Sequence, residues 1–250
     1  MSVKSYSIKD LDKQVSGHFR LREFFDPANY LDVATKAQIA KITTVKVDST
    51  LLEVLEGVRA ELRKTYPNLV LVIRPHGGYR PSSPVNLNKA VGGASGSQHR
   101  YGRASDVQAK ISEGKYLDAS TFAIAVETWC AKNGYKAAIG VYDADGNYIH
   151  IDTRGSWTAW FDTTSSAGTP YSGVTHTQGG RKTVFKRGKH CAGIVLLQRY
   201  LISQGYDIKA DGEFGTKTYN ALVMWQGGNG IKADGKYGTG SNGIAKLFNW

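Results

Sequence analysis

Two histidines and an aspartate have the residue types that bind a divalent metal. His99 and Asp106 lie in the run Ser97-Gln-His-Arg-Tyr-Gly-Arg-Ala-Ser-Asp106, and His150 lies in Tyr148-Ile-His-Ile-Asp152. Imidazole nitrogen and carboxylate oxygen are ordinary zinc ligands, and a catalytic zinc takes about three protein ligands with one position left open. His99, Asp106 and His150 supply that number. A lone His-x6-Asp pair is more often structural, so the reading depends on the elements that would bring these residues together.

Gly102 permits a sharp turn between His99 and Asp106, and the small Ala104 permits close packing beside them. His150 falls in an apolar run with the period of a strand. Ile149 and Ile151 then point to one face, and His150 and Asp152 share the other.

The surrounding pattern is α+β. Residues 49–66 read as an amphipathic helix with Leu51, Leu52, Leu55, Val58 and Leu62 on one face, opened by a capping box at Thr50 and Glu53 and closed by Pro67. Residues 68–74 read as a buried strand. Gly77, Gly78, Pro81 and Pro84 mark one loop and Gly92, Gly93 and Gly96 another. A second helix is expected over 117–133. Residues 136–143 and 147–154 read as two strands joined at Asp145-Gly146, a strong hairpin signal. This predicts a small antiparallel sheet with helices packed against it.

Residues 163–186 are rich in Ser, Thr and Gly and read as a linker. Beyond them a short motif repeats with a period of 23 residues: Ala-Asp-Gly-Glu-Phe-Gly-Thr at 210–216 and Ala-Asp-Gly-Lys-Tyr-Gly-Thr at 233–239. Each copy precedes a helix-like segment, and a third such segment spans 191–205. A small three-helix module with two repeated turns is the expectation.

The formal net charge is +11, and residues 181–250 hold 11 Lys and Arg against 4 Asp and Glu. The C-terminal part is therefore the expected docking surface for a polyanion. No nucleic-acid motif accompanies the charge, which argues against a nucleic-acid partner. Cys130 and Cys191 form no Cys-x-x-Cys pair and read as two packed thiols. The N-terminal residues contain no apolar run of signal-peptide or membrane-span length, so the expectation is a chain made in the cytoplasm without a membrane span. His18, His76, His176 and His190 read as surface or loop residues, with His76 nearest Arg80. Trp157 and Trp160 read as core or cleft wall.

The motif around His99 resembles the Ser-x-His-x-x-Gly-x-Ala-x-Asp signature of the M15 metallopeptidases, which include D-alanyl-D-alanine carboxypeptidases and L-alanyl-D-glutamate endopeptidases. All five fixed positions match. The His-x-Asp ending at 150–152, the entry segment at 18–25 and the Gly78-Tyr-Arg80 loop are similar to the same family, and the resemblance spans about residues 17–162. It implies that His99, Asp106 and His150 hold one zinc ion, and that Arg80 contacts a substrate carbonyl or carboxylate. Ser97 and Gln98 are the adjoining substrate-contact candidates. Many relatives place an acidic general base three residues before the last His. Here that residue is Asn147, so Asp152 becomes the candidate base, or equally a partner that orients a metal ligand, and Asp145 the runner-up.

The segment Ile194–Leu201, with Gly205-Tyr206 and Asp211–Gly215, resembles the type 1 peptidoglycan-binding domain over about residues 187–250. The sequence therefore predicts a peptidase domain over 1–162, a linker over 163–186 and a wall-binding domain over 187–250. The expected activity is zinc-dependent hydrolysis of peptide bonds in bacterial peptidoglycan by a monomer. Either a D,D-carboxypeptidase or an L-Ala-D-Glu endopeptidase fits, acting on the wall after release as an endolysin does. The alternative is a zinc-containing wall-binding protein without catalysis.

Overall fold

The computed structural model describes residues 2–142, 147–155, the strands at 158–162 and 169–171, and, further on, 187–188, 194, 197–198, 201–202 and 204–237. An N-terminal ribbon pairs β1 (Val3–Ser7) antiparallel with β2 (Thr44–Asp48). Between them lie two one-turn helices, α1 (Leu21–Phe24) and α2 (Lys36–Ile39). Then follow α3 (Ser49–Arg63), β3 (Val70–Ile73), α4 (Leu87–Ala90), β4 (Ala104–Ser112), β5 (Lys115–Tyr116), α5 (Ala119–Lys132), β6 (Ala138–Tyr142), β7 (Tyr148–Asp152), β8 (Thr158–Asp162) and β9 (Thr169–Tyr171).

The main sheet has the order β3-β4-β7-β6-β8-β9, with β5 added on β4. All its pairings are antiparallel except β6 with β8. The parallel pair arises because β7 and β8 flank β6 on opposite sides, with β7 ending and β8 starting beside the same residue, Ala138. Strand β9 lies inside the Ser/Thr/Gly-rich stretch 163–186, so the sheet extends into that segment.

The alternation of each strand separates two faces. Val107 and Ala109 of β4, Ile149 and Ile151 of β7, and Ile139 and Val141 of β6 are buried in one core with Leu51, Leu55 and Val58 of α3 and Phe122 and Val126 of α5. Each fully buried Leu or Ile of this kind contributes roughly 1.5–3 kcal/mol. The two helices meet where Gly57 lets the Trp129 indole lie against the α3 backbone, since an added Cβ there would fall inside the ring. Helix α3 is capped by Asp48, whose Oδ1 accepts from the Thr50 N–H at 3.2 Å, and it ends at Arg63. The expected cap at Thr50 is thus displaced by two residues. The reason is that the buried Asp48 carboxylate also accepts from Thr153 Oγ1 at 2.8 Å, which ties the helix start to the end of β7.

In the C-terminal region the helix Thr216–Gly228 and helical residues at 194, 197–198 and 201–202 enclose a second core of Ile194, Leu197, Leu201, Phe214, Leu222 and Trp225. The third helical segment expected there lies outside the described residues. Among the described residues no helix is long and apolar enough to cross a membrane.

Candidate metal centre

Strands β4 and β7 pair in a register that sets Asp106 directly opposite His150. On the other side of β7, His150 faces Gly140, which has no side chain to crowd the ring. His99 reaches the same point from a single 3-10 turn, Gln98–Tyr101, that ends at Gly102 with φ 71°. That conformation favours glycine. A Cβ at Gly102 would also collide with the Lys46 carbonyl of β2, so the signature's glycine is required twice over.

Three atoms converge. His99 Nε2 lies 3.1 Å from His150 Nδ1, His150 Nδ1 lies 3.0 Å from Asp106 Oδ1, and His99 Nε2 lies 3.2 Å from Asp106 Oδ1. Ligands about 2.0–2.1 Å from a tetrahedral zinc are separated by roughly 3.3 Å, so this triangle matches one face of such a site. The proton positions agree. His99 Nδ1 donates to the Gly78 carbonyl at 2.7 Å, and His150 Nε2 donates to Asp152 Oδ2 at 3.0 Å. His99 therefore turns an unprotonated Nε2 toward Asp106 Oδ1, and neutral His150 with its proton on Nε2 does the same with Nδ1. Three lone pairs aimed at one point repel one another unless a cation or a proton lies between them, and this donor set fits a divalent metal.

The titration behaviour of the protein alone fits the same picture. Burial lowers the His99 pKa and keeps that ring neutral. Burial also acts to lower the His150 pKa, but hydrogen bonds to Asp106 and Asp152 outweigh it and the net shift is upward. Burial would raise the Asp106 pKa, yet His99, His150 and Arg80 hold its carboxyl well below the ordinary range.

Arg80 grips the other oxygen of the same carboxylate. Its Nη2 donates to Asp106 Oδ2, its Nε donates to the His76 carbonyl, and its backbone N–H donates to the His99 carbonyl at 3.0 Å. Asp106 is thereby split, with Oδ1 toward the metal position and Oδ2 toward Arg80. The loop that delivers Arg80 needs its glycines. A Cβ at Gly77 would fall 2.7 Å from the Arg74 carbonyl oxygen and 2.8 Å from that of Asp106, and a Cβ at Gly78 would strike the Phe24 backbone.

Asp152 is fully buried, with both oxygens engaged. Oδ2 accepts from His150 Nε2 and from Arg154 Nη2 at 2.6 Å, and Oδ1 accepts from Arg154 Nε at 2.8 Å and Arg154 N at 3.1 Å. It sits behind His150, on the opposite edge of the ring from the donor triangle. Asn147, with φ 56°, is also occupied: its Oδ1 accepts from the Ala119 N–H at 2.6 Å and its Nδ2 donates to the Leu117 carbonyl at 3.2 Å. Asn147 thus clamps the hairpin to the start of α5. Ser97 and Gln98 border the turn that carries His99 but lie outside the triangle, and Gln98 Nε2 donates to the Gly96 carbonyl at 3.3 Å. Asp145, Trp157 and Cys191 lie outside the described residues, and Cys130 is a buried free thiol.

Sequence reasoning missed two supporting groups, Arg154, which holds Asp152 behind His150, and the Gly78 carbonyl behind His99. Arg154 follows Asp152 by two residues and was open to such a reading. A carbonyl leaves no trace in residue type.

In the C-terminal region each repeated Asp-Gly turn is held by a buried glutamine. Gln198 donates to Asp211 Oδ1 at 2.8 Å and accepts from the Gly212 N–H at 2.8 Å. Gln226 donates to the Lys236 carbonyl at 3.0 Å and accepts from the Gly235 N–H at 2.9 Å. A cavity of about 420 Å³ beside the first turn is lined by residues including Lys209, Asp211, Glu213 and Lys217.

A buried two-histidine, one-aspartate centre on an antiparallel sheet defines a candidate metallopeptidase. Comparison with known families agrees: residues 29–152 match the Peptidase M15 family, and residues 192–240 match a peptidoglycan-binding domain. The two matches follow one another along the chain, and together they support a cell-wall peptidase. No curated protein and no solved structure matches it.

Proposed function

We propose that this chain is a zinc-dependent peptidase that hydrolyses the stem peptides of peptidoglycan, with His99, Asp106 and His150 as the metal ligands. The observation that carries this reading is the triangle of three acceptor atoms 3.0–3.2 Å apart, with both imidazole protons directed away from it. When bound there, zinc supplies Lewis acidity toward water and the scissile carbonyl.

The chain's own residues do the rest. Gly78 and Asp152 fix the two tautomers, and Arg154 fixes Asp152. Arg80 holds Asp106 and lies where its guanidinium can donate to the carbonyl oxygen as negative charge develops on it. With both its oxygens engaged, Asp152 suits orientation better than proton transfer. The general-base role then passes to Asp145, in the hairpin five residues before His150.

The bond cut is either the D-Ala-D-Ala terminus or the L-Ala-D-Glu link. The C-terminal domain would keep the enzyme on the wall, in the manner of an endolysin. The second reading, a wall-binding protein without catalysis, draws on the structural engagement of both Asn147 and Asp152. Zinc analysis of the purified chain, with mass spectrometry of fragments released from peptidoglycan with and without chelator, separates the two. Chelator-sensitive release of stem peptides is the expected result. One zinc per chain with no peptide released would establish the inactive version, and full activity in metal-free protein would overturn both.

A further inference from the structure

Among the described residues, His76 and Asn147 are the two non-glycine residues with positive φ. Asn147 belongs to the hairpin clamp. His76, at φ 59°, lies four residues before Arg80. A left-handed residue that carries a side chain is uncommon, and it persists where its surroundings hold it.

The surroundings of His76 are specific. Its Nε2 faces two acceptors, the Asn29 carbonyl and Asp32 Oδ1 at 3.2 Å, so that nitrogen carries a proton and donates it. Its ring packs on that of Tyr30, with centroids 4.8 Å apart. Tyr30 is buried, and its hydroxyl donates to the Tyr79 carbonyl at 3.0 Å. The Tyr79 N–H in turn donates to the Phe24 carbonyl at 2.7 Å. The loop 76–80 is thus tied at both ends to the segment 24–32.

The load on this loop explains the ties. The carbonyl of the left-handed residue itself accepts from Arg80 Nε, and the same guanidinium donates through Nη2 to Asp106 Oδ2. The Asp106 contact alone would let the guanidinium turn about it. A second contact on another nitrogen fixes the plane of the group. A carbonyl is only as well placed as its own peptide, and this peptide is placed by a ring held from the far side. The contacts run from Asn29 and Asp32 through His76 and Arg80 to Asp106, and end at the metal position.

We infer that His76 is the positioning residue of Arg80: its ring, anchored on Asn29 and Asp32, holds the carbonyl that fixes the guanidinium against Asp106. This inference rests on the metal-centre and peptidase readings, and adds to them a residue that acts through Arg80.

The test uses the full-length chain and a soluble stem peptide. His76→Gly is the informative variant, because glycine adopts the left-handed backbone freely and the turn survives while the anchor is lost. Arg80 then keeps Asp106 but loses its fixed plane. At saturating zinc, kcat should fall about tenfold with KM changed little, since a misplaced Arg80 fails the developing charge more than the bound substrate. Zinc affinity, read by chelator competition, should also fall about tenfold, the lower end for a lost orienting contact. His76→Gln keeps a donor for the Asn29 carbonyl and should recover part of both losses.

Each change is repeated on an Arg80→Ala background. There His76→Gly should cost nothing further in either readout, because the group it positions is gone. A merely structural defect would add to the Arg80→Ala loss in full. Should the glycine variant unfold, Asp32→Ala removes one anchor from an exposed position and enters the same cycle. If the wild type releases no peptide, the peptidase reading falls, and the zinc affinities still decide the role of His76. A loss in either readout that vanishes on the Arg80→Ala background supports the inference. No loss in either, or a loss that persists undiminished on that background, overturns it.

Discussion

His150 Nε2 lies 3.0 Å from Asp152 Oδ2, while the Nδ1 of the same ring lies 3.0 Å from Asp106 Oδ1. One imidazole is thus gripped by a carboxylate at each nitrogen, one behind it and one beside the metal position. Asp152→Asn keeps the shape but makes the rear contact weaker and ambiguous, since an amide can present either its oxygen or its nitrogen to the ring. Removing an orienting partner of this kind typically costs 10–100-fold in metal affinity. We expect Asp152→Asn to lower zinc affinity by about that factor and to regain much of its activity in excess zinc. Zinc titration alongside kinetics checks this. Loss of kcat at full zinc occupancy would instead make Asp152 the base.

Metal binding should depend on pH through His150 alone among the three ligands. Asp106, held well below the ordinary carboxylate range, and His99, whose pKa is lowered, carry no proton on their ligating atoms at neutral pH. The His150 pKa is raised, so in the metal-free chain this ring is the last to lose its proton as pH rises. Zinc must displace that proton whenever the pH lies below the raised value. Affinity should therefore fall as pH falls through the neutral range, with about one proton released per zinc bound. Calorimetry in buffers of different ionisation enthalpy measures the proton count directly, and a count near zero at pH 6 would contradict the assignment of His150.

Asn147 occupies the position where many similar peptidases carry an acid, and here it clamps the hairpin to α5. Asn147→Ala removes two hydrogen bonds at a left-handed residue, and should destabilise the fold by about 1–3 kcal/mol. Activity per folded molecule should stay within a few-fold of wild type. Denaturant unfolding and peptide-release assays test the two halves separately. A collapse in kcat with stability unchanged would place Asn147 in the chemistry.

The convergence of His99, Asp106 and His150 was legible in the sequence because its constraints are local. The Ser97–Asp106 motif encodes a turn, a glycine and the start of a strand, and the alternation of 148–152 fixes which side chains share a face. Helices α3 and α5 were legible for the same reason, through the period of their apolar residues. The β1–β2 ribbon was not, because Val3–Ser7 is a largely polar edge strand whose pairing with Thr44–Asp48 spans some forty residues. Nor was the second reason for Gly102. Its turn is a local property, but the Lys46 carbonyl that forbids a side chain comes from β2. The surroundings of Asp152 were hidden for a related reason. Spacing placed it on the His150 face, but the packing of Arg154 against both of its oxygens depends on the folded chain.

The buried glutamines of the C-terminal domain yield the last prediction. Gln198 is about 1% exposed, donates to Asp211 Oδ1, the Glu213 carbonyl and Thr218 Oγ1, and accepts from the Gly212 N–H. Gln198→Ala leaves the Gly212 N–H without its acceptor inside the fold and opens a small cavity. An unsatisfied buried donor costs about 1–3 kcal/mol, and the lost packing adds to it. In a small domain that is a large share of the total stability. We expect Gln198→Ala to abolish sedimentation of the chain with purified cell walls, while hydrolysis of a soluble stem peptide stays close to wild type, because the metal centre is built entirely from residues 76–154. Gln226→Ala, which disrupts the equivalent turn at Gly235, should act in the same direction. A variant that lost both wall binding and soluble-peptide hydrolysis would show that the catalytic domain depends on its C-terminal neighbour for more than attachment.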